Sequence, residues 1–380
     1  MRWSLALAQF VAVLVMWIGG AFGVFPINGC PCSKKSLCQP LPIDHQFPME
    51  VFIFDHEGMD WKHYDWTKVT TIVVDLVPPF PLLCYAHGQG VRVVIKENIQ
   101  KSELTDSSQR KAWIRAQVHT AGTNFLDGIN LDFMDLFKSV HQNVTELLNL
   151  LKETAETFHR EIPGSQVSLD VPWSPHCIDG NCFQYMEISN LCDFFFVISF
   201  DIWTQKWDDC FAKPQSPYHK AYTGLSGYID MGVDSKKLIL GVSWYGSEYH
   251  CKRFIEPGRC EATESPFRGG PCSYHVVHPI AYKEVMEQLP KSFTGRYWDD
   301  NYKAPFYVYK ENATYHEVWY EDPESLSLKS SIMRKLKLGG IGVWFGNNLN
   351  YSVNPMAAMQ TEDMWNSLCP RRRKWRTWAN

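Results

Sequence analysis

The stretch Asp127–Asp135, DGINLDFMD, decides how the rest of the chain is read. It has the form of a buried strand that ends in acids: Ile129, Leu131 and Phe133 are apolar, and Asp127, Asp132 and Asp135 are spaced around them. Side chains alternate between the two faces of a strand, so the residue two places beyond Asp132 points the same way as Asp132 itself. That residue is Met134, a thioether where a second carboxylate would complete an acidic edge.

Seven other short apolar runs surround this one: EVFIF (50–54), VTTIVVDLV (69–77), VRVVI (91–95), QVSLDV (166–171), FFFVISF (194–200), KLILGVSW (237–244) and GIGVWF (340–345). Runs rich in Val, Ile and Phe that are apolar on both faces fit a parallel sheet. The intervals carry helical patterns such as NVTELLNLLKETAETFHREI (143–162), with leucines at helical spacing. Eight strands alternating with helices predict an α/β fold, a closed (β/α)8 barrel of the triosephosphate isomerase type. One interval breaks the rhythm. Residues of about 246–325 are rich in Tyr, Trp, Gly and Cys and include PFYVYKENATYHEVWYE (305–321), an alternating pattern that predicts a hairpin turning at KENA (310–313). A small α+β insertion between the seventh and eighth strands is expected there.

In such a barrel, function gathers at the carboxyl ends of the strands. The residues expected there are Asp127, Asn130 and Asp132, then Asp170 and Trp173, Ser199 and Asp201, Trp244 and Tyr245, and Trp344. Aromatic rings beside acids and amides suit a sugar, because a ring covers the apolar C–H face of a pyranose while the polar groups take its hydroxyls. The alternative for each Trp is a place in the barrel core, and for Asp127 a buried, hydrogen-bonded acid within the barrel.

The rest of the sequence supplies compartment rather than chemistry. The chain has 380 residues, 45% of them hydrophobic, and a formal charge of -4, which gives no reason to expect nucleic acid. Residues 1–23 read as a secretory signal peptide, with Arg2, an apolar run from Leu5 to Ile18 and a small-x-small pattern at Ala21–Gly23. After its removal no segment calls for a membrane, so the mature domain is expected over 24–370 with a basic tail at 371–380. All twelve cysteines follow the signal segment, and an even number suits disulfides in an oxidising compartment. The tight spacings CPCSKKSLC and CIDGNC lack the paired clusters with histidines that a zinc site needs, so neither metal nor cofactor is expected. Asn143, Asn312 and Asn350 each begin a glycosylation sequon.

The strand at 127–135 resembles the D-G-x-D-x-D-x-E signature of glycoside hydrolase family 18. Further marks follow in family order: VISFD (197–201) in place of M-x-Y-D, then LGVSWYG (240–246), VWYEDPESLSLK (318–329) and GIGVW (340–344). The resemblance covers nearly all of the mature chain. CPCSKKSLC, EVFIFD, DVPWSP, PFRGGPCS and GIGVW look most like the branch of the family that trims the chitobiose core of N-linked glycans in lysosomes. It implies a substrate-assisted mechanism, in which a glutamic acid protonates the glycosidic oxygen and the substrate's own N-acetyl group attacks the anomeric carbon. Residue by residue, it puts Asp127, Asn130 and Asp132 on the three aspartate positions, Met134 on the acid, and Phe200 on a tyrosine that bonds the acetamido carbonyl, while Asp201 is kept. A thioether donates no proton and a phenyl ring no hydrogen bond. Asp135 is the one carboxylate that could replace the acid, if the chain turns it toward the mouth.

Three readings follow. The first is a lectin-like binder of N-acetylglucosamine oligosaccharides or N-glycan cores with impaired hydrolysis. The second is a working lysosomal glycosidase. The third is a secreted partner-binding protein with a vestigial cleft. A monomer is expected, in the lysosome or outside the cell.

Overall fold

The computed structural model describes residues 29–43, 48–56, 58–132, 144–176, 183–202, 209–266, 272 and 277–368. Met134, Asp135, the signal segment, Asn143 and the basic tail lie outside them. Strands β1 (Glu50–Asp55), β2 (Thr71–Val74), β3 (Arg92–Asn98), β4 (Gly128–Asp132), β5 (Gln166–Pro172), β6 (Phe194–Ile198) and β7 (Leu238–Ser243) come first along the chain. The segment after β7 holds β8 (Tyr245–Glu256), β9 (Arg259–Ala262), β10 (Val277–Ala281), β11 (Tyr297–Asp299), β12 (Ala304–Glu311) and β13 (Thr314–Trp319), and β14 (Gly340–Trp344) follows. β1 to β7 and β14 close into an eight-stranded barrel, β1-β14-β7-β6-β5-β4-β3-β2, with every pair parallel. The expected barrel is therefore observed, strand for strand.

The apolar strands are two-faced in a specific way. Outward residues such as Val51, Ile53, Ile129, Leu131, Leu240 and Val242 join a core shared with the surrounding helices. The helix Val144–Glu161 contributes Leu147, Leu150, Leu151, Ala155 and Phe158, which recur every three or four residues and so line one face. Inward residues form a second, aromatic cluster of Phe52, Phe54, Phe194, Phe196 and Phe200 with Val73 and Ile239. Gly241 and Gly342 make room for it, since a Cβ at either would stand within 2.9 Å of the Phe196 ring. The amino end of the barrel is plugged by polar groups: Arg92 pairs with Glu50, and its Nε donates to Gln166 Oε1 at 3.0 Å. This polar plug fills the amino end, and sites of such barrels lie at the carboxyl end.

The insertion is present. Its sheet runs β10-β8-β13-β12-β11, with β9 paired to β8, and Tyr249, Cys251, Cys260, Phe306 and Trp319 form a core of its own. The hairpin β12–β13 turns at Asn312 and Ala313, both with positive φ (46° and 69°), within the expected KENA. Two positive φ values in a two-residue loop match the right-handed twist of the flanking strands, and Asn tolerates the first of them. Disulfides Cys210–Cys272 and Cys251–Cys260 tie the insertion, and Cys30–Cys38 and Cys32–Cys84 tie the amino-terminal segment. Among the described cysteines, Cys192 is a free thiol, buried in the main core. Among the described residues, no helix is long and apolar enough to cross a membrane.

Candidate functional site

The inward faces of β3, β4, β5 and β14 meet at the carboxyl end of the barrel. Alternation along β4 turns Asn130 and Asp132 inward, while Ile129 and Leu131 pack outward. Asn130 is fully buried, and its Nδ2 donates to Ser168 Oγ (3.1 Å) and to Asp170 Oδ1 (3.0 Å). Among the described residues, Asn130 Oδ1 and Asp170 Oδ2 find no hydrogen-bond partner. Burial pushes the Asp170 carboxyl well above the usual range and the charge of Asp132 adds to this, against the pull of the Asn130 hydrogen bond and of Lys96.

Lys96 Nζ lies 3.2 Å from Asp132 Oδ2 and 5.1 Å above the centroid of the Trp344 ring. Burial works against its charge, but the negative charges of Asp132 and Asp170 outweigh this and raise its pKa. The ammonium therefore stays charged and compensates Asp132. Trp344, half-buried, sits on an aromatic bed: its ring centroid is 4.7 Å from Phe54, 6.2 Å from Phe200 and 4.5 Å from Phe345. Phe200 is buried and packs edge-on to Tyr245 at 6.1 Å. Asp201, with φ of 50°, accepts a hydrogen bond of 2.5 Å from the Tyr245 hydroxyl. Burial raises the pKa of Asp201 against that bond, and raises that of Tyr245 well above its ordinary value. Asn130, Asp132, Phe200, Asp201, Tyr245 and Trp344 are thus brought together on the inner face.

Three expected site residues are placed elsewhere. Asp127 precedes β4 at the amino end of the barrel, fully buried. Its carboxylate accepts from the backbone N–H of Leu41 and Val93 and bonds His87 Nε2 at 2.8 Å. It fastens the amino-terminal segment and stands a full strand length from the mouth. Trp244 follows the inward Ser243 and so faces outward; it is fully buried, edge-on to Trp365 at 4.9 Å. Trp173 lies against the helix Tyr218–Asp230, where Gly224 leaves room for its backbone carbonyl and Lys220 Nζ sits 5.5 Å from its ring centroid. Met134 and Asp135 lie outside the described residues.

Lys96 was missed because VRVVI reads as a strand ending at Ile95, whereas β3 runs on to Asn98. Its signal was in the alternation: Arg92, Val94 and Lys96 share a face.

A ring floor, a compensated carboxylate and an amide–acid pair can hold a sugar by its C–H face and its polar substituents. Consistent with this, the model of Glycosyl hydrolases family 18 matches residues 98–347, and the chain belongs to that family. It is 41% identical over 343 residues to di-N-acetylchitobiase of Homo sapiens, covering 90% of this chain and 89% of that protein. To the Mus musculus di-N-acetylchitobiase it is 43% identical over 343 residues, covering 90% and 93%. Among solved structures, human YKL-39, described as a pseudo-chitinase with retained chitooligosaccharide binding properties, aligns with a TM-score of 0.67 at 14% identity. The alignment covers 83% of this chain and 100% of that one, and shows the shared fold.

Proposed function

We propose that the protein binds N-acetylglucosamine oligosaccharides, such as the chitobiose core of N-glycans, at the barrel mouth and hydrolyses them poorly or not at all. What supports this reading is the pairing of an aromatic floor at Trp344 with Met134 where the family resemblance puts the acid. Trp344, Asp132, Asn130 and Asp201 line the mouth, while Met134 stands at the acid position of the family signature and Phe200 brings a ring without a hydroxyl. General acid catalysis typically contributes about 10²–10⁴-fold, so its loss leaves residual turnover. The family relationship supports N-acetylglucosamine as ligand, and the disulfides support passage through the secretory pathway to the lysosome or the cell exterior, with glycans at Asn143, Asn312 and Asn350.

The second reading is an active chitobiase-type glycosidase, favoured by the similarity to the mammalian di-N-acetylchitobiases across 90% of the chain; it requires Asp135 to supply the acid. Calorimetric titration with chitobiose, run beside turnover of a fluorogenic N-acetylglucosaminide, separates the readings. Binding without turnover is expected. Turnover at the rate of ordinary glycosidases overturns the proposal in favour of the second reading, and absence of both signals leaves the cleft vestigial.

A further inference from the structure

The insertion sheet carries a second chemical cluster, which begins on β8 beyond Tyr245. Glu248 and His250 are two residues apart on β8 and therefore share a face. Opposite residues of neighbouring strands also share a face, and the register sets His316 of β13 opposite His250, His278 of β10 opposite Glu248, and Tyr309 of β12 opposite His316. One donor atom from each of Glu248, His250 and His316 lies within 4.8 Å of the other two. His316 Nδ1 is 3.0 Å and His250 Nε2 4.0 Å from the same oxygen, Glu248 Oε1. The imidazoles of His250 and His316 meet edge to face at 4.4 Å, and His278 brings a third ring 4.8 Å from His250.

We propose that Glu248, His250 and His316 form a binding site for a transition-metal dication of the zinc class. Zinc held by nitrogen and oxygen at about 2.0–2.2 Å in a tetrahedron sets its ligand atoms about 3.3 Å apart. The observed 3.0 and 4.0 Å bracket that spacing and the third separation is at most 4.8 Å, so modest side-chain rotation closes the set. Two imidazoles and one carboxylate favour zinc, copper or nickel over the oxygen-seeking calcium and magnesium. The outer groups are also present: the Tyr309 hydroxyl donates to Glu248, and its ring stacks on His316 at 4.6 Å, holding both ligands in place. Glu248 and His316 are mostly buried and His250 is exposed, which leaves the fourth position open to solvent or to a partner's ligand atom. A bound ion would pin β8 to β13 across the face of the insertion.

The test is calorimetric titration of zinc chloride into the full chain, made without a polyhistidine tag and stripped with chelator. One ion per chain is expected to bind in the micromolar range or tighter, with a rise in melting temperature. His250→Ala, at a side chain 54% exposed and free to change without unfolding the sheet, should weaken binding by tenfold or more, as should Glu248→Gln. His219→Ala, an imidazole on another element, should leave it unchanged. No measurable binding by the wild type overturns the proposal, and so does undiminished affinity in a folded His250→Ala. If Glu248 and His316 form only a hydrogen-bonded pair, Glu248→Gln lowers stability while zinc has no effect on either protein.

Discussion

Replacing Trp344 by Ala removes three separable contributions. The first is to the fold: a fully buried Trp→Ala change costs about 3–5 kcal/mol, and Trp344 is half-buried on Phe54, Phe196 and Phe200, so roughly half of that is expected. The second is the Lys96 ammonium above the ring, a cation–π contact of about 0.5–1 kcal/mol. The third appears only with ligand. A ring covered by a pyranose face is worth about 1–3 kcal/mol by analogy with burial of one large apolar side chain, which is about 5- to 150-fold in affinity. Denaturant titration reads the first two together and calorimetric titration with chitobiose reads the third, at a temperature where near-ultraviolet circular dichroism shows the variant folded. Trp344→Phe keeps a ring and should lose affinity by less than Trp344→Ala. Trp244→Ala is the counterpart, because that ring is fully buried against Trp365; it should lower stability by about 3–5 kcal/mol and leave the affinity of folded protein alone. A folded Trp344→Ala protein with wild-type affinity for chitobiose refutes the sugar floor.

The proposed loss of the acid is tested by restoring it: Met134→Glu should create hydrolysis of a fluorogenic chitobioside, and adding Phe200→Tyr should raise the rate more than additively, since both serve one transition state; Asp135→Asn in the wild type should change nothing, and a double variant as inert as the wild type refutes the alignment of Met134 with the acid. The pH dependence of stability turns on His87, whose charge is opposed by burial but favoured more strongly by Asp127, so that its pKa rises above 6.5. Its contribution is then complete below about pH 6.5 and lost as pH climbs through the raised folded value. Denaturation midpoints should fall with pH in that window for the wild type and less steeply for His87→Gln, and equal slopes would contradict the pairing. At the hairpin tip, Ala313 holds a φ of 69°, which Gly adopts without the Cβ penalty; Ala313→Gly should stabilise by about 0.5–1 kcal/mol while keeping the Asn312 sequon, and a lower melting temperature would count against the strained turn.

How much of this was legible in the sequence depends on which property of a strand is asked about. Parallel barrel strands are covered on both faces, so each is a compact apolar run, and the eight runs could be found without knowing which way any side chain pointed. Facing and position along the strand are finer properties, set by a period of two and by where the strand begins and ends, and the misplaced site residues differ there. Trp244 and Tyr245 are neighbours and so cannot share a face; the register puts Ser243 inside and therefore Trp244 among the helices. Asp127 reads as part of an acidic edge only if direction along the strand is ignored: it enters at the amino end, where His87 and two backbone amides engage it. Trp173 lies just past Pro172, beyond the last residue whose direction the pleat controls. Lys96 was the converse case, a charge at the end of an apolar run that reads as solvated, yet inward by the same count that turns Arg92 and Val94 inward. Its cationic partner role needed three strands at once: β3 for the ammonium, β4 for Asp132, β14 for Trp344. The insertion cluster was hidden for the same reason, because His250 and His316 are 66 residues apart (316 − 250) and meet only through the register of β8 with β13. Chemistry carried on one strand could be read from spacing; chemistry assembled across strands had to await the pairing that brings its parts together.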